Sequence, residues 1–353
     1  MMNKLTANRQ PLTAIPEWAP QKRTWLAWPH QKADWPGKFE PVPWVFAEIT
    51  RLIADHQRVG LLVKDAKAKR EATAILKRAH ANLKNVDFLV VSTDRGWMRD
   101  CGPIWIKDAS SGTLLGLDWG FTGWAKYPNH KRDNLLPPHV LGLSGHAGLT
   151  PTYKGHKVVL EGGGIEVDGE GSVIVTEEWL LSKKQVRNKS FTRADYEAVF
   201  AQYLGATNTI WLEAGIVGDD THGHVDDITR FVAPGKIVTA VEYDKKDANY
   251  KLLQENLKRL RAAKDANGKK FEVIELPMPR PVLFDGERLP ASYANFLITN
   301  KRVLVPIFND LADKDALRIL QDCFPTREVV GIYARDLVWG LGTIHCLTQQ
   351  EPA

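Results

Sequence analysis

Ile165–Val175 reads IEVDGEGSVIV. Apolar residues on either side of an Asp-Gly-containing bend predict two short strands folded back as a hairpin. Two later stretches repeat the pattern. Phe231–Val241, FVAPGKIVTAV, bends at Pro-Gly, and Tyr293–Pro306 joins two apolar runs through Asn-Lys-Arg. Helical spacing of apolar residues occupies the intervals, over Thr192–Leu204, Asp247–Ala263 and Asp313–Phe324, with Thr192 and Asp313 as N-caps. Upstream, helix-like Trp44–His56 and Ala66–Leu83 alternate with β-rich Val59–Val63 and Val86–Val91. Purely parallel doubly wound sheets and TIM barrels place single strands between helices, so recurring hairpins argue against both. The order predicts an α/β chain of repeated small ββα units, with no visible sequence repeat.

The chain has 353 residues, 44% hydrophobic and 25% charged, which excludes disordered and collagen-like classes. No linker-like segment divides two compositions, so a single domain over residues 1–353 is expected. Three cysteines, Cys101, Cys323 and Cys346, are too few and too scattered for a disulfide framework and suit a reducing compartment. Met1–Pro20 holds no signal-peptide core, and no run approaches a membrane span. A cytoplasmic protein without membrane contact is the expectation. The net charge is +5, but the basic residues are dispersed; Lys64–Arg70 and Lys258–Lys270 read as solvated helix faces, and no nucleic-acid partner is expected. Nine of twelve tryptophans fall within the first 124 residues and read mainly as core.

Four segments mix glycine with reactive polar residues: Asp94–Pro103, Leu160–Gly164, Gly218–Asp227 and Gly340–Gln350. The third, GDDTHGHVDD, carries Asp219, Asp220, Asp226 and Asp227 with no Lys or Arg. So many carboxylates need a cation, a metal or hydrogen-bond donors to stay together. His222, His224 and Asp226 could hold a hydrolytic metal. Alternatively the carboxylates bind an organic cation and His224 is an acid-base group, or the aspartates form Asx turns and helix caps. In the fourth segment Cys346 lies among glycines and polar residues, an environment that predicts exposure and a nucleophilic thiol, whereas Cys101 and Cys323 read as inert packing. Carboxylates, a Cys and a His together suit attack on a guanidinium, which is planar, permanently charged and matched to carboxylates.

The segments WMRDCGP, LEGGGIEVDGEGSVIVTEE, DDTHGHVDD, PASYANF and IHCLTQQEP, with the opening IPEWAPQKRTWLAWPH, resemble the agmatine deiminase and bacterial-type peptidylarginine deiminase family. The resemblance runs from Ile15 to Pro352. It implies a pentein fold: an α/β five-bladed propeller with pseudo-fivefold symmetry and a site in its central channel. Position by position, Cys346 is similar to the family's nucleophile, His224 to its acid-base group, and Asp100 and Asp226 to the guanidinium clamp. Glu161 is similar to the residue that orients and charges the histidine. The implied reaction needs no cofactor and no metal, and passes through a covalent thiouronium on Cys346. The implied substrate is a small cationic guanidinium, agmatine, deiminated to N-carbamoylputrescine in polyamine metabolism. Other readings remain open: an arginine or peptidyl-arginine deiminase, a metal amidohydrolase using His222, His224 and Asp226, a silent polyamine binder, and a homo-oligomer of any of these. Asp220 extends the acidic lining expected to bind substrate. Trp97, three residues before Asp100, is a candidate cation–π partner worth roughly 0.5 to 2 kcal/mol, or else a wall residue. His222, Leu341, Trp179 and Lys189 depart from the family's usual Asp, Gly, Cys and Pro.

Overall fold

The computed structural model describes residues 12–353; the part of the leader-peptide reading that concerns Met1 to Pro11 lies outside them. Among these residues, five sheets share one plan. Each has an antiparallel strand pair, then a helix, then a strand parallel to the second member of the pair. Three of the pairs are the hairpins expected from sequence. Glu166–Val167 pairs with Ser172–Thr176, Thr229–Ala233 with Lys236–Val241, and Leu297–Ile298 with Arg302–Ile307. The parallel additions are Asn208–Leu212, Glu272–Pro277 and Glu328–Tyr333. A fourth sheet pairs Ile104–Asp108 with Leu114–Leu117 and adds Ala147–Leu149 in parallel and Leu12–Ala14 at the other edge. In the fifth, Gln21–Ala27 near the start of the chain pairs with Thr348–Pro352 at its end, and Arg58–Val63 and Val86–Val90 extend it in parallel. That last pairing brings an early strand and the last strand of the chain to one sheet, with Cys346 two residues before its closing strand.

Local chemistry explains the turns and caps. In the first hairpin Asp168 Oδ1 accepts from the amides of Glu170 and Ser172, both at 2.8 Å, while Gly169 and Gly171 take positive φ. Thr192 caps the helix Arg193–Leu204 in a capping box with Asp195. The other proposed cap is corrected: Ala312 holds the N-cap position of Asp313–Cys323. The carboxylate of Asp313 instead accepts from the Phe308 and Asp310 amides and from Tyr293 Oη, so it ties the loop before the helix. Trp25, Trp28, Trp35, Trp105 and Trp119 are core, as their clustering suggested, while Trp44 is exposed. Lys67, Lys69 and Arg70 lie on the solvent side of their helix. No helix among the described residues is long and apolar enough to cross a membrane.

Candidate active site

Four loops converge beneath one cavity. Asp100 sits on the short helix Met98–Cys101, Glu161 leads into the turn Gly162–Gly164, His224 and Asp226 flank the turn Val225–Asp227, and Cys346 precedes the closing strand. Glycine is what lets them meet. A Cβ on Gly162 would lie 2.3 Å from the Arg99 carbonyl, so the two loops touch backbone to backbone. One on Gly163 would lie 2.7 Å from His224 Nδ1, 2.9 Å from Asp100 Oδ1 and 3.1 Å from Asp226 Oδ2. All three reactive groups therefore face the same point.

Each acid is held by specific donors. Asp100 accepts from the Gly163 amide at 2.9 Å through Oδ1 and from Trp124 Nε1 at 2.7 Å through Oδ2. Burial, with Asp226 and Glu161 nearby, raises its pKa to about 6 against the opposing charge of His224. Glu161 is fully buried, 3.3 Å from His224 Nε2, and receives Arg187 Nε on both oxygens at 3.1 Å and Trp179 Nε1 at 2.7 Å. Burial opposes its charge, but Arg187 and His224 outweigh burial and hold it at about 2. Burial also opposes the charge on His224, yet Asp100, Glu161 and Asp226 together raise it to about 9. The histidine thus rests as an imidazolium at neutral pH, ready to donate a proton.

Cys346 Sγ lies 3.6 Å from Asp226 Oδ2. The expectation of an exposed thiol is corrected: Cys346 is 7% exposed, because the glycine-punctuated loop packs down instead of standing free. Burial and the charges of Asp226, Asp227 and Asp100 push its pKa well above the ordinary thiol value. Asp226, although buried, is kept low by His345, whose Nδ1 is 2.7 Å from its Oδ2. Its neighbour Asp227 is pushed up by burial and by Asp226. Two buried polar atoms, Asp226 Oδ1 and His224 Nδ1, have no protein partner. A planar cation with several N–H donors could satisfy the carboxylate oxygen.

The cavity above has a volume of 340 Å³; Cys346 and Asp100 form part of its floor, with Trp97, Trp124, Asp34 and Asp220 in its walls. The four aspartates of the acidic segment divide their work. Asp219 forms the turn, accepting from the amides of Thr221, Gly223 and His224 at 2.7 to 3.0 Å. Asp220 stands at the cavity wall, bonded to Lys126 and to Tyr127 Oη. Its charge is already partnered, which weakens it as a substrate ligand. Trp97 is a wall residue whose indole stacks on Trp35 at 5.6 Å and donates to Asp34 at 3.0 Å. The proposed metal triad is not assembled. His222 turns to Ser182 Oγ at 2.9 Å and Glu178 at 3.6 Å, away from His224 and Asp226. The one group of metal-capable ligand atoms close together among the described residues is Asp226, Asp227 and Cys346, without a histidine.

A model of the Porphyromonas-type peptidyl-arginine deiminase family matches residues 13–352. The chain belongs to this family. An agmatine deiminase of Stutzerimonas stutzeri is 36% identical over 360 residues, covering 96% of this chain and 94% of that protein. Among solved structures, the agmatine deiminase of Enterococcus faecalis, described as catalysing its reaction, is 29% identical with a TM-score of 0.88 over 99% of both chains. C. jejuni agmatine deiminase, a cysteine-to-serine variant with substrate bound, is 27% identical with a TM-score of 0.87, again over 99% of both. The pentein-like α/β fold expected of the family is therefore present.

The departures from the family's usual residues sit just outside the reactive groups. Trp179 bonds Glu161 and meets the His224 ring edge to face at 5.5 Å. Leu341 takes the left-handed conformation, φ 66°, that glycine adopts without cost. The structure brings together the five positions expected from sequence, Cys346, His224, Glu161, Asp100 and Asp226, while Trp124, Arg187, His345 and Glu17, which hold them, were not anticipated. Glu17, 2.7 Å from His345 Nε2, holds that ring from the side opposite Asp226. Glu17 and His345 lie inside segments that carry the family resemblance, IPEWAPQKRTWLAWPH and IHCLTQQEP, which was the available signal for these two.

Proposed function

We propose that this chain is an agmatine deiminase, a hydrolase that converts agmatine and water to N-carbamoylputrescine and ammonia. The observation that carries the reading is the convergence of His224, Asp100 and Asp226 on Gly163, with Cys346 Sγ 3.6 Å from Asp226 and Glu161 3.3 Å from His224, under a cavity sized for a small molecule. The names of its relatives supply the substrate. We further propose that the five similar sheets are blades of a five-bladed propeller around a pseudo-fivefold axis, a single domain with the cavity as its central channel. Three free cysteines fit a cytoplasmic setting.

In this mechanism Asp100 and Asp226 grip the guanidinium through paired N–H donors and present its carbon to Cys346. The substrate's charge offsets the carboxylates around the thiol, so the sulfur gives up its proton to solvent as the cation binds. The thiolate forms an S–C bond. His224 gives its proton to one nitrogen, the C–N bond breaks, and ammonia departs, leaving a thiouronium on Cys346. Neutral His224 then takes a proton from water as the oxygen adds to the same carbon. The C–S bond breaks, the thiolate returns, and the protonated ureido group loses its O–H proton to solvent, where it makes ammonium of the released ammonia, as the product leaves. Glu161 holds the His224 ring and favours its charged form, while Arg187 and Trp179 hold Glu161.

Ammonia release measured on agmatine, free arginine and an arginyl peptide tests the proposal. Turnover confined to agmatine, abolished by Cys346→Ser and indifferent to chelators, is expected. Preference for either arginine form would reassign the substrate, chelator sensitivity would revive a metal mechanism, and silence on all three would indicate a binding protein.

A further inference from the structure

Asp226, Asp227 and Cys346 each bring one metal-capable atom to within 4.8 Å of the other two, and all three side chains are buried. Zinc bonded to sulfur at about 2.3 Å and to oxygen at about 2.0 Å, at the tetrahedral angle, holds those two atoms about 3.5 Å apart. Cys346 Sγ and Asp226 Oδ2 already stand 3.6 Å apart. The side-chain donors to this trio are His345, on Asp226, and Asn295, whose Nδ2 is 3.0 Å from both Asp227 Oδ1 and the sulfur. No Lys or Arg among the described residues pairs with either carboxylate. Two more polar atoms, Asp226 Oδ1 and His224 Nδ1, have no protein partner among the described residues, although their side chains are 0% and 1% exposed. A methyl group at Gly163 would meet that nitrogen at 2.7 Å and Asp226 Oδ2 at 3.1 Å, so both border one small space. Cys346 also lines the cavity, which leaves a fourth metal position open to water.

We propose that Asp226, Asp227 and Cys346 form an inhibitory site for a single soft divalent cation of the zinc class. The donor set selects the metal. A thiolate with two carboxylates suits Zn²⁺, whereas Mg²⁺ asks for an octahedron of oxygens. Binding forms a Zn–S bond and breaks S–H; the proton passes to solvent, and no oxidation state changes. The ion takes no part in the reaction. It occupies the nucleophile and one arm of the guanidinium clamp together, so zinc and agmatine exclude one another.

That exclusion rests on the proposed deiminase reading, whereas occupancy of the three residues does not. Untagged protein dialysed against Zn²⁺ should retain one zinc per chain by elemental analysis, and excess Mg²⁺ should not displace it. Zinc should protect the Cys346 peptide from iodoacetamide, read by mass spectrometry, and Co²⁺ in its place should give a thiolate charge-transfer band. Cys346→Ser and Asp227→Asn should each weaken zinc by about 10-fold or more, since a lost ligand costs at least as much as a lost group behind one. Circular dichroism checks that both variants are folded. Zinc should raise KM for agmatine, and EDTA should restore the zinc-treated protein without altering the zinc-free one. Wild-type zinc affinity in both variants, or alkylation of Cys346 at full zinc occupancy, would overturn the site. Undiminished turnover at that occupancy would overturn its inhibitory effect. A protein that binds zinc through Cys346 but deiminates no agmatine would support the site and sink the substrate assignment alone.

Discussion

The sulfur of Cys346 lies 3.6 Å from Asp226 Oδ2. A nucleophile and a carboxylate that would hold its substrate therefore share one small volume, and the empty site penalises the thiolate. Asp226→Asn should act in opposite directions on two measurements. With one negative charge gone, the alkylation midpoint of Cys346 in the free protein falls by about one pH unit or more. Turnover of agmatine drops by about 10²-fold or more, because half of the guanidinium clamp is lost. A variant whose thiol becomes harder to alkylate would contradict this electrostatic account.

Asp100 must be ionised to grip a guanidinium, and burial raises it to about 6. The acidic limb of kcat/KM should fall near that pH. Trp124 Nε1 donates to Asp100 Oδ2 at 2.7 Å and stabilises the charged form. Trp124→Phe keeps the aromatic contact with Phe121 but removes the donor. The acidic limb should move to higher pH and KM should rise, and a pH–rate profile superimposable on the wild type would remove Trp124 from the site.

His224 at about 9 must be protonated to expel ammonia, so the basic limb should lie near pH 9. Glu161→Gln removes a negative charge beside the ring, and the limb should shift down by about one to two units. The same change leaves Arg187 buried without its carboxylate and should cost roughly 3 to 5 kcal/mol of stability in denaturant unfolding. Stability should also carry the histidine's signature. The folded value lies above the ordinary 6.5, so the contribution of His224 is complete below pH 6.5 and lost as pH rises through about 9. For Glu161 the folded value, about 2, lies below the ordinary 4.5; its contribution is present above pH 4.5 and lost as pH falls toward 2. His224→Asn should flatten the alkaline slope and only weaken the acidic one, because Arg187 still holds Glu161 low.

Much of this is legible in the sequence because it is local. The Asp168 turn, the Thr192 capping box and the three hairpins are each written within a dozen residues. The reactive residues were legible through motifs carried by family resemblance. What holds them was not. Arg187 meets Glu161 from 26 positions away, His345 meets Asp226 from 119 and Glu17 from 328. Such pairings follow from tertiary packing, the Glu17–His345 contact from the sheet that pairs Gln21–Ala27 with Thr348–Pro352, and no local pattern announces them. The burial of Cys346 was misread for the same reason: glycine and polar residues signal a loop, but only tertiary packing decides whether that loop is covered.

Gly163 is where those long-range pairings become a single constraint. Its position would place a methyl group 2.7 Å from His224 Nδ1 and 2.9 Å from Asp100 Oδ1, closer than real Cβ contacts allow. Both neighbours are themselves anchored, His224 by Glu161 and Asp100 by Trp124, so neither can retreat without breaking a buried bond. Gly163→Ala is a small change in a backbone conformation open to alanine, since this glycine is not among the residues with positive φ. The expected outcome is a folded protein with a modestly lowered melting temperature and kcat/KM on agmatine reduced by about 10²-fold or more. Circular dichroism and ammonia release on the same sample check it. Near-normal turnover would mean that the loops meeting at Gly163 are looser than their hydrogen bonds imply, and that the convergence of reactive groups there does not set the geometry of the reaction.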